Sequence, residues 1–150
     1  MNTKLDSESR LATWQQLRHS IENVDFNTAL LKTYEFWENV PTTPYYLDYD
    51  SVENWPDPWQ LIAENYYCDL AKCLGMLYTI YLSGHKDSNP EIRVYRDKNS
   101  LYLYSVLWLC EGKYILNWSQ EEIVNTKLLE EKESVLLHRY TKEDLNLDRY

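Results

Sequence analysis

The sequence predicts an α+β domain: N-terminal helices and a buried central helix packed on a small antiparallel sheet of three to four strands. Three observations carry that expectation. The stretch Asn54–Gly84 holds the longest apolar segment, with Leu70, Cys73, Leu74, Leu77, Ile80 and Tyr81 at three- and four-residue spacing and Ala71, Met76 and Tyr78 filling a second face. Leu101–Cys110 alternates with apolar residues on both faces, the pattern of a central strand. Its neighbours, Glu91–Arg96 and Lys113–Trp118, are joined to it by DKNS and EG, connections of hairpin length that make the three strands antiparallel. A chain of 150 residues is long enough for one domain, 1–150, with a core of its own.

The elements follow in order. Residues 1–7 are polar and expected to be disordered. A first helix is signalled from Ser7 or Ser9 by the stripe Leu11, Trp14, Leu17 and Ile21, ending near Asn23. A second has Asp25 as its cap and Phe26, Leu30, Tyr34 and Trp37 as its apolar face. Asp57 as N-cap, Pro58 at the first helical position and Gln60 as capping-box partner start a helix near Pro58. Asp69 and Lys72 keep the apolar run short of the roughly 20 residues of a membrane span, and Gly84 is a natural stop, so the central helix reads as buried in protein. After the three hairpin strands, Ser119 with Glu122 forms a capping box that predicts a short helix to about Leu129. Ser134–Tyr140 reads as a last strand, and Thr141 with Asp144 as a closing turn.

Composition narrows the function classes. The chain carries 14 Tyr and 6 Trp but only 2 Phe, a balance suited to surfaces that bind protein partners. A net charge of −9 without any basic run argues against direct nucleic-acid binding; its plain meaning is solubility, its sharper one a basic partner. Three glycines leave no phosphate-cradling loop or dinucleotide fingerprint, so no cofactor is expected. No metal is expected either: Cys68, Cys73 and Cys110 lack zinc-ligand spacing, and His19, His85 and His138 form no local pair. The odd cysteine count and the polar N-terminus predict a reducing cytoplasm and no signal peptide. Cys68 and Cys73, five apart on one helix, are expected on different faces.

Residues 40–57 form a long loop rich in Pro, Tyr and Trp, running to Trp59 at the start of the next helix. Two readings fit it: Trp55 and Trp59 plug the core, or Tyr45, Tyr46, Asp48 and Tyr49 join them in a recognition surface. The motif W-P-D-P-W-Q-L-I leading into a buried helix, in a short acidic Tyr-rich chain, resembles small proteins of tailed bacteriophages. The resemblance implies a virion or assembly component of neck, tail or baseplate. Such a protein would act by protein–protein contacts with virion or host chains, within an oligomeric assembly and without touching membrane.

A second resemblance concerns Cys68–Trp118. There C-D-L-A-K-C-L-G-M-L resembles the cysteine helix of a papain- or transglutaminase-like core, and K-Y-I-L-N resembles the strand whose last residue orients the base. It implies Cys68 as nucleophile, activated by the helix N-terminus, and Asn117 as orienter. The base belongs on the Leu101–Leu109 strand, which carries no His; Ser105 is nearest. The sequence thus points first to a non-enzymatic phage structural protein. Its alternatives are an acidic inhibitor of a host nucleic-acid-binding protein and a cysteine hydrolase or acyl transferase using Cys68.

Overall fold

Three aspartates set the starts of the first three helices. Asp6, Asp25 and Asp57 each hold an extended backbone, and their carboxylates accept from Ser9 N at 2.8 Å, Thr28 N at 3.1 Å and Gln60 N at 2.8 Å. Each bond satisfies an N–H that the first helical turn leaves without a partner. The helices are α1, Ser7–Ile21; α2, Phe26–Glu38; and α3, Pro58–Glu64. The computed structural model describes residues 6–44, 46–117, 122–124 and 134–150, with Asn117 and 122–124 as backbone alone.

The segment that begins at Pro58 is two helices rather than one. Asn65 takes a left-handed conformation (φ 59°, ψ 36°) and ends α3, and Asp69–Leu82 forms α4. Asn tolerates this region better than other side chains because its short amide bonds locally. The buried Arg10 of α1 then donates to the carbonyls of Ile62 at 3.2 Å and Ala63 at 2.6 Å, covering the end of α3. At the other end of α4, Gly84 (φ 92°) and His85 donate to the carbonyls of Tyr81 and Ile80. That pairing is the Schellman closure expected of a glycine in this place.

α4 is the centre of the domain, every residue from Leu70 to Tyr81 being buried. Its contact with α2 is made at Gly75, where a Cβ would stand 2.5 Å from Cζ2 and 2.6 Å from Cζ3 of Trp37. Trp14 and Trp37 both donate their indole N–H to Thr79 Oγ1, at 2.9 and 3.0 Å, and Thr79 donates to the Gly75 carbonyl at 2.7 Å. One hydroxyl thereby satisfies two buried indoles and joins α1, α2 and α4. Lys72, 1% exposed, donates its ammonium to the Val40 carbonyl at 2.8 Å. Among the described residues no helix is long and apolar enough to cross a membrane.

α4 packs on a five-stranded antiparallel sheet of order β4-β3-β2-β1-β5. The strands are β1, Glu91–Asp97; β2, Leu103–Leu109; β3, Tyr114–Asn117; β4, Glu122–Val124; and β5, Ser134–Tyr140. The α+β class holds, and β2 is the middle strand as its two apolar faces predicted. Ile92, Val94, Leu107, Leu109 and Leu116 face the helices, while Tyr95, Val106, Trp108 and Ile115 form a second cluster on the outer face. The sheet exceeds the expected four strands because Glu122–Val124, placed by its capping box in a helix, pairs with β3 instead. Ser119 and 125–129 lie outside the described residues. Between Val94 and Tyr95 the β1–β5 register slips by one, leaving Leu137 as the extra residue of a bulge.

Candidate functional site

The sequence pointed to the N-terminus of α4, and the structure gathers a polar cluster there. Cys68 is the N-cap, with extended backbone (φ −77°, ψ 177°) and no side-chain capping bond. Its carbonyl accepts from Lys72 N at 3.0 Å. A 14-residue helix directs its unpaired N–H groups and the positive end of its dipole toward this residue. Cys68 is 5% exposed. The loop ahead of α3 closes over it from both sides: Thr43 N donates to the Tyr67 carbonyl at 2.9 Å, and the Tyr49 phenol donates to Asp69. Tyr140 Oη in turn donates to the Tyr49 carbonyl at 2.5 Å.

Asp69 is the hub. Its Oδ1 accepts from Tyr49; its Oδ2 accepts from Ser105 N at 3.2 Å and lies 3.4 Å from Ser105 Oγ. The backbone N–H of Ser105 on β2 is thereby tied to a carboxylate of α4. Ser105 Oγ also lies 3.4 Å from Cys73 Sγ, which donates to the Ser105 carbonyl at 3.4 Å. Burial pushes the Cys73 thiol far up, and burial together with the Asp69 charge does the same to the Tyr49 phenol. Both groups therefore stay protonated, which leaves Cys68 as the thiol that the helix end serves. Cys68 stands at the N-cap and Cys73 inside the helix, where Cys73 bonds to Ser105 of β2.

The resemblance puts the base on the strand that carries Ser105, and none of the three histidines lies on that strand. His19 pairs with Glu22 at 3.1 Å, and His85 Nε2 meets the Ile21 carbonyl at 2.8 Å. His138 lies on β5, stacked on Tyr140 with ring centroids 5.7 Å apart. Val94 pairs with Ser105 on one side and His138 on the other, so His138 stands two strand spacings, about 10 Å, from Ser105. Asn117 ends β3, in register with Glu122. Among the described residues no group of three or more His, Cys, Asp or Glu is placed to hold a metal.

The other predicted site residues divide. Trp55 is a core plug: 8% exposed, its indole donating to the Asp48 carbonyl at 2.8 Å and its ring edge-on to Tyr140. Trp59 is not; it is 44% exposed against Tyr150. Tyr46 is half-buried beside Tyr66, the Asp48 side chain is exposed, and Tyr45 lies outside the described residues. Asp69 was missed as a site residue. Its signal was an acid immediately after the cysteine, read only as a break in an apolar run.

No protein-family model and no curated protein sequence matches the chain. Solved structures do match. Calcium-bound LapG of Legionella pneumophila superposes with a TM-score of 0.74 at 14% identity, covering 91% of this chain and 77% of LapG. Its EGTA-treated form gives 0.75 at 15% identity, over 93% of this chain and 76% of LapG. LapG is a bacterial cysteine protease of transglutaminase-like fold, so the resemblance seen in Cys68–Trp118 extends over nine-tenths of the chain as a shared fold. This likeness overturns the expectation of a non-enzymatic phage virion or assembly protein.

Proposed function

We propose that the chain is a cysteine-dependent hydrolase or acyl transferase of papain- or transglutaminase-like type, with Cys68 as nucleophile. The observation that carries this reading is Cys68 at the N-cap of the buried helix α4, over the middle strand of a sheet that shares its fold with a cysteine protease. The Cys68 thiolate attacks the carbonyl carbon of an amide or ester. The leaving amine or alcohol takes a proton from water, and a thioester forms that water or an acceptor amine cleaves. The positive end of the α4 dipole lies at the residue whose sulfur carries the negative charge before the attack.

The proton inventory sets the character of the reaction. With Ser105 nearest to the base's place and no histidine in the cluster, the thiol has no general base beside it, because Ser105 has no basic lone pair to match an imidazole. Turnover is therefore slow compared with that of a thiol paired to an imidazole. Asp69 and Tyr49 position the helix start and the loop across it. One LapG structure is calcium-bound; among the described residues here no group of three or more His, Cys, Asp or Glu is placed to hold a metal.

The test is acylation. Incubated with p-nitrophenyl acetate at pH 8, the protein gains one acetyl group, which peptide mapping places on Cys68. Cys68→Ala abolishes it, whereas Cys73→Ala and Cys110→Ala retain it. Acetylation that persists in Cys68→Ala, or a wild-type protein that stays unmodified at Cys68, overturns the reading.

A further inference from the structure

The outer face of the sheet, across from Cys68, holds a second polar cluster that the proposed chemistry does not use. Arg93 of β1 and Arg139 of β5 are direct cross-strand partners. Like charges in that relation repel and destabilise a sheet. Both arginines donate through Nε to one oxygen, Glu91 Oε1, at 2.7 and 2.9 Å. Glu91 is 6% exposed and is opposite Trp108 on β2. The Arg93 guanidinium stacks 3.6 Å over the Trp108 ring, which holds its plane fixed. The ends of both guanidinium groups make no further hydrogen bond among the described residues. Both line an open cavity of about 340 Å³, together with Lys142.

A cluster that only closed the sheet edge would spend the forks of its arginines on both carboxylate oxygens. Here two forks share one oxygen, so one buried negative charge faces two guanidinium groups and a nearby ammonium. The cavity's other acids, Glu111 and Glu143, are exposed and are free to turn into solvent. We propose that this cavity is an oxyanion site in which Arg93 and Arg139 bind a phosphate or carboxylate group, with Lys142 beside it. Paired guanidinium groups fixed by a shared acid match the geometry of a planar or tetrahedral oxyanion. In a chain of net charge −9, an anion gains no general attraction, so binding has to come from these side chains.

Isothermal titration with inorganic phosphate, and separately with citrate, at ionic strength fixed by sodium chloride, tests the site. The expected result is saturable binding of at least one of them, weakened tenfold or more in Arg139→Gln and in Lys142→Gln. Arg139 is 55% exposed, so its loss leaves the fold intact, as circular dichroism would check. Preference for phosphate identifies a phosphoryl group as the natural moiety, and preference for citrate a carboxylate. No saturable binding of either, or binding unchanged in both variants, overturns the proposal. Because the sheet separates this cavity from Cys68, the outcome is independent of the acylation test.

Discussion

Asp69→Asn isolates the hub of the Cys68 cluster. The carboxylate accepts from three donors: the Tyr49 phenol, the Ser105 N–H and the Ser105 hydroxyl. An amide offers one accepting oxygen, and its NH₂ would face donors. One of the two bonded sides is therefore left unsatisfied, costing about 1–3 kcal/mol for a buried donor. The loss of an acid from the first turn of α4 adds about 0.3–1 kcal/mol. We expect a loss of about 2 kcal/mol in urea unfolding, read from the midpoint at unchanged slope. The exposed Asp87→Asn serves as control and should stay within about 0.5 kcal/mol of wild type. A cycle with Tyr49→Phe should show coupling of about 1 kcal/mol, since both changes break the same bond. A wild-type midpoint for Asp69→Asn, or strict additivity in the cycle, refutes the assignment of Asp69 as hub.

The remaining predictions concern the core and its titration. Burial holds the phenols of Tyr49, Tyr67 and Tyr78 and the Cys73 thiol above their ordinary ionisation range. A folded-state value above the unfolded one means that the native state keeps its proton longer. Stability from these groups is thus full below about pH 9 and falls as pH rises beyond it, by up to about 1.4 kcal/mol per pH unit for each group titrating only in the unfolded chain. Lys72, pushed down by burial, acts in the opposite sense but is a single group; urea midpoints between pH 8 and 11, with tyrosinate absorbance at 295 nm, decide the net sign, and a midpoint that holds constant to pH 11 refutes it. Gly75→Ala drives a methyl into Trp37 and should cost about 1–3 kcal/mol, with a changed Trp fluorescence spectrum; an unaltered thermal midpoint would show that α2 simply moves aside.

What the sequence disclosed follows the range of the forces involved. Asp25 and Asp57 were legible as caps because a cap bonds three residues away. The middle place of β2 was legible because two-faced alternation has few other causes, and with it came Ser105 opposite the cysteine helix. The bond of Tyr49 to Asp69 spans 20 residues and that of Arg139 to Glu91 spans 48; neither leaves a local pattern. The break at Asn65 was hidden for a different reason. Its left-handed turn joins two apolar segments whose periodicities each read as helix, so the pattern alone ran on. Glu122–Val124 shows the converse error: a local capping motif predicted a helix, and pairing with β3 prevailed.

The absence of an imidazole gives Asp69 two opposed roles. In its hydrogen bonds it stabilises the start of α4 and pins the loop through Tyr49. On the proposed chemistry its charge works against Cys68, since a carboxylate next in the chain repels an attacking thiolate. With an imidazolium beside the thiol, the ion pair would dominate and the neighbouring acid would matter little. On the proposed chemistry no such partner is present, and the Asp69 carboxylate is the charged group next to the attacking sulfur in the chain. Asp69→Asn therefore separates the two roles by sign: the fold is weakened, while alkylation of Cys68 by iodoacetamide, measured well below the urea midpoint, quickens. Slower alkylation in the variant would mean that the carboxylate assists the thiol, and that Asp69 itself takes the place of the missing base.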